Sequence, residues 1–343
     1  MITRRSLLFG ASALSMATLA ACSTGSPTQT TAQSTTGPAA SPTGSSAAPV
    51  ALTVGLTYIP NVQFSPFYVG VDEGIFAAAG LDVTVRHHGA QEDVFGAMVA
   101  GREQVVFASS DEAVVAAGQT PDLRTFATAY QKFPGVVIVP AASGAKSMSD
   151  LKGARIGIPG HYGSTYYAAL VALHNAGLTE ADVQLTDIGY TQVAALQGGK
   201  VEAIVGYTNN ETVQCRLAGL DVIEIPVQDP ADPTLVGPGL ITLDGTVPVD
   251  VLARLAGAMK EAEQRIVDDP TLAITATAKQ VPTLSDANQR KAAEAVLAAT
   301  TELWKRDGQV SVAVDEAAFA RMGEFLVQVG IIKEAPAATT IVV

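Results

Sequence analysis

From residue 51 onward, short apolar runs alternate with segments of helical period. The runs at 52–56, 83–86, 105–108, 123–127 and 136–139 predict strands. The segments 64–76, 92–100 and 111–118 between them predict helices. The pattern then restarts, with strands expected at 155–158, 183–186, 203–206, 222–225 and 239–243. Helices are expected at 164–175, 192–197 and 211–218, with a short helical turn at 149–151. Gly80, Gly177 and Gly219 sit where helices should stop. Beyond Pro248 the pattern is mostly helical. Such alternation predicts largely parallel sheets covered by helices on both faces. Two successive sets predict two α/β lobes. Ligands bind such sheets beyond the carboxyl ends of the strands, so two facing lobes would bracket a cleft.

The first 50 residues follow a different pattern. Arg4 and Arg5 precede an uncharged, largely apolar run at 7–21. That run is short of the roughly 20 residues needed to cross a bilayer, so 1–21 reads as a removable signal peptide. The arginine pair leaves twin-arginine export open beside the general route. Residues 23–49 carry no charge and almost no large apolar group. They cannot bury enough surface to offset chain entropy and read as a disordered linker. The junction Leu19-Ala20-Ala21-Cys22 resembles the lipobox of bacterial lipoproteins. The resemblance implies cleavage before Cys22, acylation of its thiol and tethering of residues 22–49 to a membrane, where two or more acyl chains hold stably. An ordinary signal peptide followed by an incidental cysteine is the alternative.

Composition narrows the partners. The chain of 343 residues has 21 basic and 33 acidic residues, a net charge of −12. Without Arg4 and Arg5, 19 basic residues stand against the same 33, a net charge of −14. No basic face for nucleic acid is expected from this balance. After Cys22 the remaining cysteine is Cys215, so no disulfide within the chain is expected and a monomer must rely on its core.

Several blocks resemble one family. They are Gly55-Leu56-Thr57-Tyr58-Ile59-Pro60-Asn61, Phe67-Tyr68-Val69-Gly70, Glu73-Gly74-Ile75-Phe76 and Ala79-Gly80-Leu81-Asp82-Val83. Asp150-Leu151-Lys152-Gly153-Ala154-Arg155-Ile156-Gly157 and Gly160-His161-Tyr162-Gly163-Ser164 follow. The blocks are similar to the substrate-binding proteins of ABC importers for sulfonates, nitrate, thiamine-pyrimidine precursors and riboflavin, over about 51–330. The resemblance implies a type II periplasmic-binding-protein fold, with two doubly wound lobes joined by two hinge strands. Lobe I would comprise 51–140 and 238–343 and lobe II 141–237, with hinges near 136–141 and 237–243. It also implies a membrane permease as partner and no cofactor.

Four loops at strand ends supply the candidate site. Tyr58 can stack on a flat ligand and Asn61 can both donate and accept, although both can simply build the turn. The resemblance places this turn at the pocket in the pyrimidine-precursor and sulfonate branches. Ser109, Ser110 and Asp111 open a helix, which they should cap, and can offer polar contacts. Across the cleft, His161, Tyr162 and Ser164 precede or open the next helix. Tyr207, Asn209, Asn210 and Glu211 form a hydrogen-bonding patch, in a turn like one in the vitamin-precursor branch. Glu211 can instead complement a helix dipole. Tyr130 and Tyr190 are weaker candidates, and Tyr166 and Tyr167 can be core residues. These loops hold no Arg or Lys. The set suits a flat, neutral or amino-bearing heterocycle, a thiamine-pyrimidine precursor or riboflavin. Sulfonate, taurine or nitrate remains the alternative, because helix N-termini bind anions without side-chain charge.

Catalytic patterns are weak. The four histidines, His87, His88, His161 and His174, lack metal-ligand spacing. Gly-x-Ser-x-Gly, phosphate-loop and dinucleotide motifs are absent from the sequence. Ser143-Gly-Ala-Lys146 matches Ser-x-x-Lys without its partner motifs. Enzymes related to the family make the thiamine pyrimidine with a clustered cysteine motif, but Cys215 stands alone. An extracytoplasmic sensor would have the same sequence features as an importer component.

Overall fold

Runs of buried Val, Ile and Leu form two five-stranded sheets. The computed structural model describes residues 48–89 and 92–343. The expected signal peptide and Cys22 therefore lie outside the described residues.

The first sheet contains β1 (Val50–Leu56), β2 (Leu81–His87), β3 (Val105–Ala108), β4 (Leu123–Thr128) and a late strand, β10 (Gly239–Leu243), in the order β2-β1-β3-β10-β4. The second contains β5 (Gly135–Pro140), β6 (Arg155–Ile158), β7 (Gln184–Asp187), β8 (Ala203–Tyr207) and β9 (Val222–Pro226), in the order β7-β6-β8-β5-β9. In each sheet the strand that has just arrived from the other sheet is antiparallel to both neighbours: β5 against β8 and β9, β10 against β3 and β4.

This arrangement corrects the expected hinges. The strand read as a hinge near 136–141 is an interior strand of the second sheet, and 239–243 is an interior strand of the first. The chain crosses between sheets ahead of each strand, over 129–134 and 227–238. An apolar run of five or six residues reads alike in either sheet, so periodicity could not assign β5.

Helices cover the sheets. The single helix expected over 64–76 is two, α1 (Ser65–Asp72) and α2 (Ile75–Ala78), divided at Gly74, whose φ of 67° ends the first. α3 (Gly96–Val99) and α4 (Ser110–Ala117) follow β2 and β3. The second set carries α5 (Gly163–Asn175), α6 (Gln192–Gln197) and α7 (Glu211–Leu217). α8 (Val249–Asp268), α9 (Pro270–Gln280) and α10 (Ala287–Thr301) return to the first sheet, where Leu255, Met259, Ile274 and Leu297 join its core. Trp304 is fully buried in that core.

The last helix, α11 (Glu316–Gln328), departs from the expected division. Phe319, Met322 and Leu326 pack in the second sheet's core with Ile156, Val171 and Val205. The expectation that all C-terminal helices cover the first sheet is thus corrected. An amphipathic stripe shows that a helix needs a partner, but it does not say which sheet. Beyond α11 the chain returns to the first sheet's edge, where Thr125 N–H donates to Thr339 O at 2.8 Å.

The two crossings lie side by side. Tyr130 N–H donates to Pro238 O at 3.0 Å. A Cβ on Gly237 would run into the Tyr130 carbonyl oxygen and lie 2.8 Å from that of Lys132. Both obstacles are backbone, so no side chain can swing away. Gly237→Ala is expected to destabilise the protein by about 2 kcal/mol, the typical cost of overpacking. Thermal unfolding would register this as a Tm lowered by several degrees. An unchanged Tm would mean that the crossings are loose.

Candidate functional site

The carboxyl ends of the two sheets face each other across a cleft of about 630 Å³. Thr57, Tyr58 and Ile59 enter it from the end of β1. Ser109 and Glu112 enter from the start of α4. The opposite wall is Tyr162, Ser164 and Tyr167 from the start of α5, Tyr190 after β7, and Tyr207, Asn210 and Glu211 after β8.

Tyr58 is held by a neighbour that periodicity did not single out. His87 Nδ1–H donates to the Tyr58 carbonyl at 2.8 Å, and Tyr68 Oη lies 2.7 Å from His87 Nε2. Burial lowers the His87 pKa, so the ring is neutral and fixed between these partners. The Tyr58 ring meets Tyr190 edge to face, 5.3 Å between centroids at 76°. Burial first, then Glu211 and Tyr190, pushes the Tyr58 phenol up to about 12.

Polar contacts tie the two walls together. Ser109 Oγ lies 3.0 Å from Tyr207 Oη. Ser164 Oγ donates to Asp111 Oδ2 at 2.8 Å. Ser109 caps α4 in a capping box with Glu112, and the Ser109 N–H reaches Glu112 Oε2 at 3.3 Å. The backbone of Ser164, at the start of α5, lies near the Glu112 carboxyl and works to lower its pKa. Burial pushes the Asp111 carboxyl up to about 6, against the lowering effect of its Ser164 bond. Burial and then the adjacent Asp111 push Glu112 up to about 8.

Glu211 is fixed within its own loop. Its Oε2 accepts the Tyr207 N–H at 2.8 Å and its Oε1 accepts from Asn210 Nδ2 at 2.8 Å. Burial raises its pKa despite these bonds. None of the residues lining the cleft is Lys or Arg.

Of the residues expected from sequence, the structure brings Tyr58, Ser109, Tyr162, Ser164, Tyr207, Asn210 and Glu211 to the cleft wall. The other five lie off it. Asn61 turns away to cap a helical turn, its Oδ1 accepting Val62 N–H at 2.7 Å. Ser110 is buried and donates to Gly237 O at 2.6 Å, at the second crossing. Asp111 lies beneath the wall, where it holds Ser164. Asn209 is buried behind it and donates to Thr300 Oγ1 on α10 at 2.9 Å. His161 is half-exposed and pairs with Asp187 at 2.6 Å.

Glu112 was missed, although its place three residues after Ser109 marks it as the capping-box partner. Tyr130 and Tyr190, the weaker candidates, both line the cleft, as does Tyr167, which sequence placed in the core. Among the described residues no group of three or more His, Cys, Asp or Glu side chains could hold a metal ion, and no helix is long and apolar enough to cross a membrane.

Two sheets of this topology around a cleft define the two-lobed type II periplasmic-binding-protein fold. The periplasmic aliphatic sulphonate binding protein SsuA from Escherichia coli superposes with a TM-score of 0.65 at 17% identity, over 85% of this chain and 94% of that one. The family follows from sequence: the NMT1/THI5 like model matches residues 61–273, and the chain belongs to that family. The riboflavin-binding protein RibY of Chloroflexus aurantiacus is 36% identical over 206 residues, 60% of this chain. The formylaminopyrimidine-binding protein of Halalkalibacterium halodurans is 25% identical over 171 residues, 49% of this chain. The matches span 58% and 51% of those two proteins, respectively.

Proposed function

We propose that the protein is the solute-binding component of an ABC importer and captures a small flat heterocycle, a thiamine-pyrimidine precursor or riboflavin. The observation that carries this reading is the cleft wall, with tyrosines from both lobes, the carboxyl groups of Glu112 and Glu211, and no Lys or Arg. Aromatic faces take up a flat ring, and carboxyl and amide groups bond to ring or exocyclic nitrogen atoms. An anion would need donors. The obvious donor set, the start of α5, faces a carboxyl instead: Glu112 Oε1 lies 2.9 Å from where a Cβ on Gly163 would stand. The names of the two curated relatives agree with a heterocyclic solute.

The chemistry is binding and release, not catalysis. Tyr58 and Tyr190 touch, so solute enters when the lobes part, with bending at the crossings 129–134 and 227–238. Closure restores the Ser109–Tyr207 and Asp111–Ser164 bonds over the bound ring. The lobe division that fits this motion joins α11 to the second lobe. Acylated Cys22 and the linker at 22–49 would hold the monomer on the outer face of the cell membrane beside its permease.

The test is calorimetric titration of residues 48–343 with hydroxymethylpyrimidine, riboflavin, taurine and nitrate. One-to-one binding of a heterocycle alone is expected. Binding of taurine or nitrate alone would replace this reading with the anion one.

A further inference from the structure

The cleft does not end at the interlobe tyrosines. Ser109, Glu112, Val115, Ala116 and Gln119 line it at the spacing of one face of α4. Eight helical residues span about 12 Å. The cleft therefore has an inner arm in the first lobe. His88, Glu92, Asp93 and Thr120, from the same lobe, line the cleft as well.

The chemistry of the arm differs from that of the mouth. His88 Nε2 lies 3.0 Å from both carboxylate oxygens of Glu103. Glu103 is fully buried and is also held by Arg86 at 2.5 Å, which in turn pairs with Glu92 at 2.6 Å. This chain fixes the His88 ring and places a proton on Nε2, facing Glu103. Nδ1 is left as the free hydrogen-bonding atom of the ring. The His88 side chain is 3% exposed, and its Nδ1 has no hydrogen-bond partner among the described residues. Buried polar atoms are ordinarily paired, because leaving one unpaired costs desolvation energy. A hydroxyl suits this atom, because it can donate to a bare Nδ1 or accept from a protonated one. Asp93, Gln119 and Thr120 add further acceptors along the same arm.

We propose that this arm seats a polyhydroxylated chain carried by the ligand's ring, so that the solute is a flat ring bearing a polyol tail, as in riboflavin, and not a bare pyrimidine. The proposal rests on the reading of the cleft as a heterocycle site. It adds that a second, hydroxyl-binding subsite decides among heterocycles. A cleft of about 630 Å³ is also far larger than a single six-membered ring fills.

The experiment compares riboflavin, lumiflavin (the flavin ring without the ribityl chain) and hydroxymethylpyrimidine on the wild-type domain, on His88→Ala and on Gln119→Ala. Riboflavin is expected to bind at least about tenfold more tightly than lumiflavin. His88→Ala should bring riboflavin down towards the affinity of lumiflavin. Gln119 is exposed, so Gln119→Ala will fold and should narrow the same gap by a smaller factor. Equal affinity of wild type for riboflavin and lumiflavin, or binding of the pyrimidine alone, would overturn the proposal and leave the heterocycle reading intact. Loss of riboflavin and lumiflavin affinity by the same factor in His88→Ala would also overturn it, by making His88 a support of the fold. Binding of none of the three to wild type would overturn both readings.

Discussion

Tyr58→Ala should weaken binding of the heterocycle by about 2 kcal/mol, roughly thirtyfold, from lost stacking and lost apolar contact. The ring is well placed for this effect. It stands two residues beyond the interior strand β1, its carbonyl is pinned by His87, and its ring packs edge to face with Tyr190 of the other lobe. Little ordering remains to be paid for on binding, so most of the contact energy should reach the measured affinity. Asn61→Ala, three residues along, provides the control. Asn61 caps a helical turn and does not line the cleft, so its loss should cost about 1 kcal/mol of stability and leave affinity unchanged. Calorimetry and thermal unfolding of both variants separate the two roles. Equal losses of affinity in the two would mean that the turn acts as one unit and that the wall has been drawn in the wrong place.

Affinity should fall as pH rises from about 5 to about 8. In the closed arrangement burial holds Asp111 up to about 6 and Glu112 up to about 8, each above its ordinary value. The groups facing them are Tyr207, Tyr167 and Tyr190, together with Ser164. When the lobes part, water reaches these carboxyls and their pKa values return towards the usual range. Below that range both forms are protonated and closure has no proton cost. As pH rises above it, the open form ionises while the closed form stays protonated, so closure takes up protons and becomes less favourable. The loss continues until pH passes the closed-state value of Glu112. One coupled proton changes affinity by up to about tenfold per pH unit. Glu112→Gln imitates the protonated acid and should flatten the upper part of this profile. A pH-independent affinity in wild type would show that these carboxyls keep the same environment in both forms. The same raised values predict that stability, as well as affinity, is lost on going from mildly acidic to alkaline pH.

Seven expected site residues reached the cleft because they end strands or start helices, and chain direction alone sends such residues to that edge. Five did not. Asn61 builds its own turn, the local alternative already open in the sequence, and the other four failed for reasons local pattern cannot supply. Ser110 and Asp111 follow Ser109 directly, but successive helical residues face about 100° apart. One therefore faces the second crossing at Gly237, and the other sits under Ser164. Asn209 faces α10, a helix more than seventy residues later in the chain. His161 found Asp187 on a neighbouring strand.

The alternation of apolar runs with helical period was enough to place the ten strands of the two five-stranded sheets within a residue or two, because that signal lies within each segment. The absence of Lys and Arg from the strand-end loops was likewise legible in the sequence and persists in the cleft wall. Tertiary structure decided which sheet received β5 and β10, which core received α11, and how Glu112 and His88 came to face the cleft. Each of these depends on a contact between residues far apart in the chain. Side-chain period records that a face must be buried, but the partner that buries it is set only when the two lobes fold and meet.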